Sequence, residues 1–364
     1  MNTRRRSPPA VPSPTRRRLT ALSCLALAAL PPWTRVLAAQ PDQALRKVRV
    51  GMLDSLSEAP ALIAYEQGYF KEEGLDVEFV SFSNTADMVA PLSARQLDVA
   101  SGAPTLALFN GALRGLPFKL VADKGRNSPG HGFNALVVRK DLVDSGRVKS
   151  IADIKGMKVA TPSRHSPMEL QLDMALRTAG LGLNDVGLEQ LAFPSMIAAL
   201  TNKAVDAALM IEPLVTVIAQ RQIGTRLLGF DQTSPEFQIA GIIYGPSLTQ
   251  ADSDVGRKWM VAYVRGIRAY LDSLDGRGSR DVTERALSRH IEVFKNQELL
   301  KKLVYPGFNP DGYLNLQTIK DSMAWYAGLW LLKTQPRLTD LVDYRYLDYA
   351  LDRLGRKGPR QGVN

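Results

Sequence analysis

The sequence predicts an α/β protein made of two doubly wound units, followed by a helical C-terminal segment. Three observations predict this fold class. Short apolar segments alternate with helical segments from Lys47 onward, the alternation starts again near Phe133, and the sequence after Tyr244 is almost entirely helical. Strands that alternate with helices are typical of a parallel sheet covered by helices on both faces.

The first unit contains four predicted strands and three predicted helices. The strands are Val48–Leu53, Leu75–Phe82, Leu97–Gly102 and the segment LPFKLVADK at 116–124. The helices are Ala59–Glu66, a segment that ends near Arg95, and Pro104–Arg114. Gly68 follows the first helix, and Ser83-Asn84-Thr85 supplies the side chains that are typical of a helix N-cap before the second helix.

The second unit repeats this pattern, and the C-terminal segment follows it. Predicted strands are 133–138, 157–162, 187–193, 205–211 and 225–229, and predicted helices are 151–156, 167–179, 194–202 and 213–221. The extended segment FQIAGIIY at 237–244 is expected to return to the first unit, and the later helices are 254–274, 282–294, 297–304 and 316–332. The last helix contains MAWYAGLWLL and is predicted to be buried. The basic tail 353–364 is predicted to be disordered.

The first 38 residues predict export. They contain seven arginines and no acidic residue, and the apolar run LTALSCLALAAL is too short to span a bilayer. Val36-Leu37-Ala38 is typical of a signal-peptide cleavage site, so we expect cleavage near Ala38. The segment from Thr15 to Leu19 resembles a twin-arginine export motif, while an ordinary secretory signal with a basic start is the alternative.

Charge and cysteine content exclude several classes of function. The whole chain has a formal charge of +10, but removal of the seven leader arginines leaves about +3, and the body without its basic tail is near −1. A nucleic-acid surface is therefore not predicted. The one cysteine, Cys24, lies in the leader. The mature chain therefore has no disulfide, thiolate metal site or cysteine nucleophile, and we expect neither a metal nor a cofactor.

Four sequence blocks carry a family resemblance. The block APALIAYEQGYFKEEGLDVEFV at 59–80 contains the turn pattern G-x-F-x-x-x-G-(L/I)-x-V at 68–77. The blocks LSARQLDVASGAPTLAL, IADIKGMKVATP and ALTNKAVDAALMIEPLV follow in order, with Gln96 and Lys203-Ala204 standing where glycine is usual. Residues 47–270 thus resemble the NMT1/THI5-like family, which includes binding proteins for nitrate, sulfonates, taurine and thiamine-pyrimidine precursors.

The resemblance implies a type II periplasmic-binding fold, in which two lobes are joined by a two-strand hinge. Lobe 1 would comprise 45–135 and 242–352, lobe 2 would comprise 136–241, and the crossing strands would lie near 134–139 and 238–244. It also implies a monomeric periplasmic protein that closes around a small solute and delivers it to the permease and ATPase subunits of an ABC importer.

The candidate ligand-binding residues follow the predicted strands, because ligands of doubly wound sheets bind beyond the carboxyl ends of the strands. They are Asp54, Ser55 and Ser57; Ser83 and Asn84; Gly102, Ala103 and Thr105; Thr161, Ser163, Arg164 and His165; and Glu212. Hydroxyl groups and backbone N–H groups at helix N-termini would suit an anionic group. Ser83, Thr105 and Ser166 are most economically interpreted as plain helix caps.

Two acids in this set point to an organic solute with mixed polar groups rather than to nitrate. Glu212 would either accept hydrogen bonds from the solute or pair with Arg164 or Lys124. For Asp54 in the first lobe, binding the solute and pairing with a basic side chain are likewise both open. One alternative function is an enzyme that makes the thiamine pyrimidine, but it needs a cysteine cluster that the mature chain lacks. The other alternative is a sensory solute receptor that acts through a separate partner chain.

Overall fold

The computed structural model describes residues 44–251 and 253–363, so the predicted signal peptide lies outside the described residues. The strands are β1 Arg46–Leu53, β2 Leu75–Phe82, β3 Val99–Gly102, β4 Lys119–Asp123, β5 Arg126–Asn127, β6 Asn134–Arg139, β7 Lys158–Thr161, β8 Gly187–Gln190, β9 Ala207–Ile211, β10 Gly224–Gly229, β11 Phe237–Gln238 and β12 Gly241–Tyr244. The helices are α1 Ala59–Glu66, α2 Tyr69–Glu72, α3 Val89–Ser93, α4 Leu106–Leu113, α5 Lys140–Asp144, α6 Pro167–Arg177, α7 Phe193–Thr201, α8 Leu214–Gln220, α9 Ser253–Leu274, α10 Asp281–His290, α11 Gln297–Leu300, α12 Leu316–Gly328, α13 Leu338–Leu341 and α14 Arg345–Leu354.

The first sheet has the strand order β2-β1-β3-β12-β4. β1 pairs in parallel with β2 and β3, as the alternation of strands and helices predicts. β12 runs antiparallel to both of its neighbours, because the chain enters this strand on its return from the second sheet. Helix α9 packs in the core of the first lobe and contributes a buried aromatic stack, in which the ring centroids of Trp259 and Tyr263 lie 4.9 Å apart.

The second sheet has the order β10-β6-β9-β7-β8 and its own hydrophobic core. β7 is parallel to β8 and β9, whereas β6 is antiparallel to β9 and β10. Both sheets are therefore mixed, with parallel strands where a helix connects two of them. The predicted α/β fold with two doubly wound lobes is confirmed, while the exact lobe boundaries stay a prediction.

A two-stranded ribbon connects the lobes. In it β5 pairs antiparallel with β11, through Phe237 opposite Asn127 and Gln238 opposite Arg126. The first predicted crossing segment, 134–139, therefore lies several residues after β5, and the second, 238–244, overlaps β11 only at Gln238. The apolar segment 134–139 is an inner strand of the second sheet, and 241–244 is an inner strand of the first.

The C-terminal segment differs from its prediction in three ways. The last predicted helix ends as α12 at Gly328, and Trp330 beyond it has a positive φ of 60° and is 92% exposed, so the apolar run is not fully buried. Helix α14, which is not among the predicted helices, packs on α9. The tail does not agree with the expected disorder, since the backbone N–H groups of Lys357 and Gly358 donate to Asp311. Among the described residues, no helix is long and apolar enough to cross a membrane.

Candidate functional site

A cavity of about 60 Å³ lies where the carboxyl ends of the first-sheet strands face the second lobe. We call it the inner cavity. Its lining residues come from both lobes and from the crossing segments: Leu53, Ser55, Ser57, Asn84, Thr85, Gly102, Ala103, Thr105, Lys124, Phe133, Pro162, Ser163, Ser166, Pro167, Met168, Phe193, Ile211, Ile239 and Ala240. Seven of the predicted site residues are in this set: Ser55, Ser57, Asn84, Gly102, Ala103, Thr105 and Ser163.

Two buried serines come from the loop after β1. The Ser55 and Ser57 hydroxyls lie 2.9 Å apart and hydrogen-bond to each other. The loop is held in place because the Leu53 N–H donates to the Glu58 carboxylate at 3.0 Å. Only one of the two hydroxyl groups donates to the other in this pair. The O–H of the other serine can therefore donate a hydrogen bond to a solute.

The loop after β3 approaches the loop after β2 very closely. A Cβ atom at Gly102 would lie 2.4 Å from the Thr85 methyl carbon, so glycine is required at this position. The Thr85 hydroxyl accepts a hydrogen bond from the Ala103 N–H at 3.2 Å. Thr105 occupies the N-cap position of α4 but makes no side-chain cap bond there. Its hydroxyl therefore does not have the capping role that is one of its two predicted roles.

The second lobe contributes the loop between β7 and α6. Thr161 is fully buried and does not line the cavity; instead its hydroxyl donates to the Ser163 carbonyl at 3.1 Å and so positions Ser163. Ser166 caps α6 by accepting from the Glu169 N–H at 3.4 Å, as the capping interpretation predicts. Pro167 and Met168 then present an apolar surface to the cavity.

Arg164 and His165 do not line the inner cavity, contrary to the prediction. Arg164 lies 3.7 Å from the Glu169 carboxylate and its side chain is exposed. The His165 N–H donates to Glu169 at 2.9 Å, and the His165 carbonyl accepts from the Tyr326 hydroxyl at 2.6 Å. Burial, together with the neighbouring Arg164 charge, lowers the pKa of the His165 imidazole. Its backbone is thus tied into the structure on both sides.

Glu212 is likewise absent from the lining. It is fully buried, and its carboxylate accepts from Arg226 at 2.8 Å and from the Thr216 N–H and hydroxyl, each at 3.0 Å. Burial raises the pKa of this carboxyl, although Arg226 and the Thr216 bonds act in the opposite direction. The expected partners Arg164 and Lys124 are wrong, since the partner is Arg226 in β10, which lies two strands away from β9 in the second sheet.

Asp54 and Ser83 line a larger pocket of about 500 Å³ beside the inner cavity, which we call the outer pocket. The two spaces share the side chains of Leu53, Phe193 and Ile211. The Asp54 carboxylate is exposed and accepts from the Ser81 hydroxyl at 2.8 Å. Its charge therefore belongs to the rim of the site and not to its centre.

Lys124 lines the inner cavity, although it is predicted only as a candidate partner of Glu212. It directly follows β4, so the strand-end rule that selects Ser55 and Thr105 also selects Lys124. Its ammonium contacts the Glu58 carboxylate at 2.7 Å, and both side chains are about 2% exposed. Phe133, Ile239 and Ala240 carry no comparable signal, because they belong to the crossing segments and not to strand ends.

Among the described residues, no group of three or more histidine, cysteine, aspartate or glutamate side chains is arranged to hold a metal ion. The polar atoms of the inner cavity are instead hydroxyls, the Asn84 carboxamide, backbone amides and one ammonium. Such an arrangement can hold a small molecule by hydrogen bonds and apolar contacts.

Comparison with known proteins gives one family match. The sequence model of the NMT1/THI5-like family matches residues 56–273. A candidate binding protein of Brucella abortus is 32% identical over 181 residues, which cover 49% of this chain. The chain spans about half the length (51%) of this curated relative.

Solved structures show the same fold at low sequence identity. The alkanesulfonate-binding protein SsuA from Xanthomonas axonopodis pv. citri, bound to MOPS, has a TM-score of 0.63 at 16% identity, over 81% of this chain and 97% of that one. The nitrate-binding protein NrtA from Synechocystis PCC 6803 has a TM-score of 0.65 at 14% identity, over 85% and 89%. The desulfurization enzyme DSZB has a TM-score of 0.58 at 14% sequence identity, and the similarity covers 85% of this chain and 99% of that one. These similarities concern the fold.

Proposed function

The chain belongs to the NMT1/THI5-like family, and on that premise we propose that it is a solute-binding protein of an ABC importer. The observation that carries this proposal is the inner cavity, which both lobes and the crossing segments line together. A site built in this way changes shape when the lobes move about their hinge, so a bound solute stabilises the closed form. The closed form is then what the permease and ATPase subunits would receive.

The dimensions of the site support a small organic solute. The inner cavity of about 60 Å³ is smaller than a cavity of about 150 Å³ that holds benzene. The outer pocket of about 500 Å³ begins at the shared side chains Leu53, Phe193 and Ile211. We infer that a polar head group occupies the inner cavity and that a larger body extends into the outer pocket.

We further propose a periplasmic location, which rests on the predicted signal peptide at 1–38. Two structural neighbours support it, because the nitrate-binding protein and an aliphatic sulphonate-binding protein are both described as periplasmic. Cell fractionation of the full-length protein tests the location directly. Recovery of the uncleaved chain in the cytoplasm would contradict it.

The similarity of the fold to that of a desulfurization enzyme supports the alternative that this protein is an enzyme. None of the lining residues of the inner cavity, however, is a histidine, cysteine, aspartate or glutamate. Lys124, the lining side chain that could act as a base toward Ser55 or Ser57, is held in an ion pair with Glu58 at 2.7 Å. We therefore favour binding without turnover. A purified protein that converts the solute it binds would reverse this choice.

A thermal-shift screen of sulfonates, aromatic carboxylates, carboxamides, pyrimidines and amino acids tests the proposal. Because stabilisation equals RT ln(1 + [L]/Kd), a solute at about 1,000 times its Kd adds about 4 kcal/mol to the free energy of unfolding. We expect at least one class to stabilise the protein clearly. Uniform absence of stabilisation across the screen would contradict solute binding.

Ser163→Ala is the site variant for whichever solute binds. Loss of one hydrogen bond of about 0.5–1.5 kcal/mol should weaken binding by about two- to tenfold, without a change in melting temperature of the free protein. Ser145→Ala is the matched control, because the Ser145 hydroxyl donates to the Leu142 carbonyl on the second lobe, away from the cavity. Equal affinity of both variants for the solute would remove Ser163 from the site.

A further inference from the structure

Lys124 is the charged side chain that lines the inner cavity, and its charge is already matched. Its ammonium nitrogen lies 2.7 Å from Glu58 Oε1, with both side chains about 2% exposed. A buried ion pair of this kind persists when its members are held in good geometry by further hydrogen bonds. The pair gives the cavity a strong hydrogen-bond donor without giving it net charge.

Glu58 is held firmly enough to fix the position of that donor. Oε1 accepts from the Leu53 N–H at 3.0 Å, and the Ser101 hydroxyl lies 2.8 Å from Oε1 and 2.7 Å from Oε2. An ammonium has three N–H donors. Within residues 44–251 and 253–363, Glu58 is the acceptor that contacts Lys124 Nζ, so donors remain for a solute in the cavity that Lys124 lines.

The rest of the inner cavity offers no second charge to an anion. Apart from Lys124, its lining residues are uncharged. The N-terminus of α6 is a poor anion site, because Pro167 has no N–H and the Glu169 carboxylate already lies in its first turn. A full anion in the cavity would therefore add an unbalanced buried charge, which is costly in a poorly solvated site.

The outer pocket adds to this preference. The acidic side chains Asp54 and Glu292 are among its lining residues. Both are exposed, so water and salt screen them, and Glu292 is paired with Lys295. The Asp54 carboxylate has a sign that opposes a negatively charged solute approaching through this pocket. The electrostatics of both spaces therefore act in the same direction.

From these contacts we infer that the site selects uncharged solutes whose head group carries a hydrogen-bond acceptor, such as a carboxamide or a ring carbonyl, and discriminates against carboxylates, sulfonates and nitrate. Lys124 donates to the acceptor, and Glu58 sets the charge preference by neutralising Lys124. This inference rests on the proposed function and names its solute class.

Matched pairs of probes test the inference on the purified protein. The pairs are benzamide with benzoate, nicotinamide with nicotinate, and butanamide with butanoate, each differing in the charge of one head group. Isothermal titration calorimetry should show that the protein binds the better amides at least about tenfold more tightly than their carboxylates. Nitrate and methanesulfonate, added as small oxyanions, should bind no better than the carboxylates.

Glu58→Gln is the decisive variant, because it keeps the shape of the side chain and removes the counter-charge. The Lys124 ammonium is then unbalanced, so the ratio of carboxylate to amide affinity should rise by about tenfold relative to the unsubstituted protein. Glu58→Gln/Lys124→Met removes both charges and should lose amide binding while keeping its fold. Melting followed by circular dichroism confirms the fold of each variant. Glu298→Gln serves as the matched control, because Glu298 is an exposed partner of Lys301 and lines neither the inner cavity nor the outer pocket.

Tighter binding of carboxylates than of amides by the unsubstituted protein would overturn the inference and leave solute binding intact. An unchanged ratio in folded Glu58→Gln would overturn it as well. If none of the six probes binds, the inference also fails, and the broad thermal-shift screen decides separately whether the proposed function stands.

Discussion

Glu169 shows how a single buried acid next to the site affects the whole protein. It lies in the first turn of α6 and is fully buried, and its Oε1 atom accepts no hydrogen bond. Burial raises the pKa of this carboxyl above its ordinary value, with the His165 N–H and the Arg164 charge opposing the change. The ionised form is therefore less favourable in the folded chain than in the unfolded chain.

The sign of the pH dependence follows from this raised pKa. Because the folded state holds the Glu169 proton more tightly, this group stabilises the fold at acidic pH, and the stabilisation is lost as the pH rises through the folded-state pKa. Glu169→Gln cannot ionise, so it should be more stable than the unsubstituted protein at about pH 8, by about 1 kcal/mol, and nearly equal at about pH 4. Urea unfolding at both pH values measures the difference. Equal stability at about pH 8 would contradict the prediction.

Residues at strand ends were the predictable part of the site. Ser55 and Thr105 follow strands of the first sheet and Ser163 follows a strand of the second, and all three lie at the inner cavity because the carboxyl ends of parallel strands meet at one edge of each sheet. The same rule also selects Glu212, which does not line the cavity, because its carboxylate turns toward Arg226 in β10, two strands away from β9. Strand order, which brings β10 beside β6, depends on long-range pairing that a local pattern does not encode. The role of the predicted residues in binding stays a prediction.

At the scale of elements, the β5–β11 ribbon depends on a few buried polar groups. Asp123 accepts from the Gly125 N–H at 2.7 Å, the Asn309 N–H at 2.8 Å and the Gln238 side chain at 2.7 Å. Gln238 in turn accepts from the Asn315 N–H at 2.8 Å, immediately before α12. These bonds join the crossing segments to the first lobe.

Asp123→Asn should destabilise the protein by about 2–4 kcal/mol, because an amide nitrogen would face donors that now meet a carboxylate oxygen. Urea unfolding followed by circular dichroism gives the free energy of unfolding. Asp321→Asn is the matched control, since Asp321 is exposed and accepts one bond from Gln317 on the same helix. A loss no larger than that of the control would show that the Asp123 bonds contribute little.

Regular elements with a clear hydrophobic period were predictable, and the crossing was not. β1, β2 and α9 lie within a few residues of their predicted ranges, since each has a run of apolar residues facing a core. The ribbon has only two residues per strand, Arg126–Asn127 and Phe237–Gln238, which is too short for any period to appear. Its position follows from where the two sheets end.

At the scale of the whole molecule, closure of two lobes is the expected response to a solute. Two lobes joined by a short ribbon separate or approach mainly by rotation about that ribbon. A solute that contacts both Ser57 and Ser163 favours the closed arrangement, because only there does it contact both lobes.

Small-angle X-ray scattering tests closure. The radius of gyration should fall when a stabilising solute from the thermal-shift screen is added, and should not change with a compound that fails to stabilise the protein. A solute that binds without changing the radius of gyration would show that the lobes are already closed in its absence.

Helix α12 gives this motion an optical readout. The Trp325 indole N–H donates to Asp173 in α6 at 3.0 Å, and the ring packs against the hydrophobic cores of both lobes. The other described tryptophans differ in accessibility, since Trp259 is fully buried and Trp330 is exposed. Acrylamide should therefore quench Trp330 first, and the fluorescence that remains would report on Trp325 and Trp259. Solute titration, rate of closure and recovery after dilution can then all be followed by the emission of the unlabelled protein.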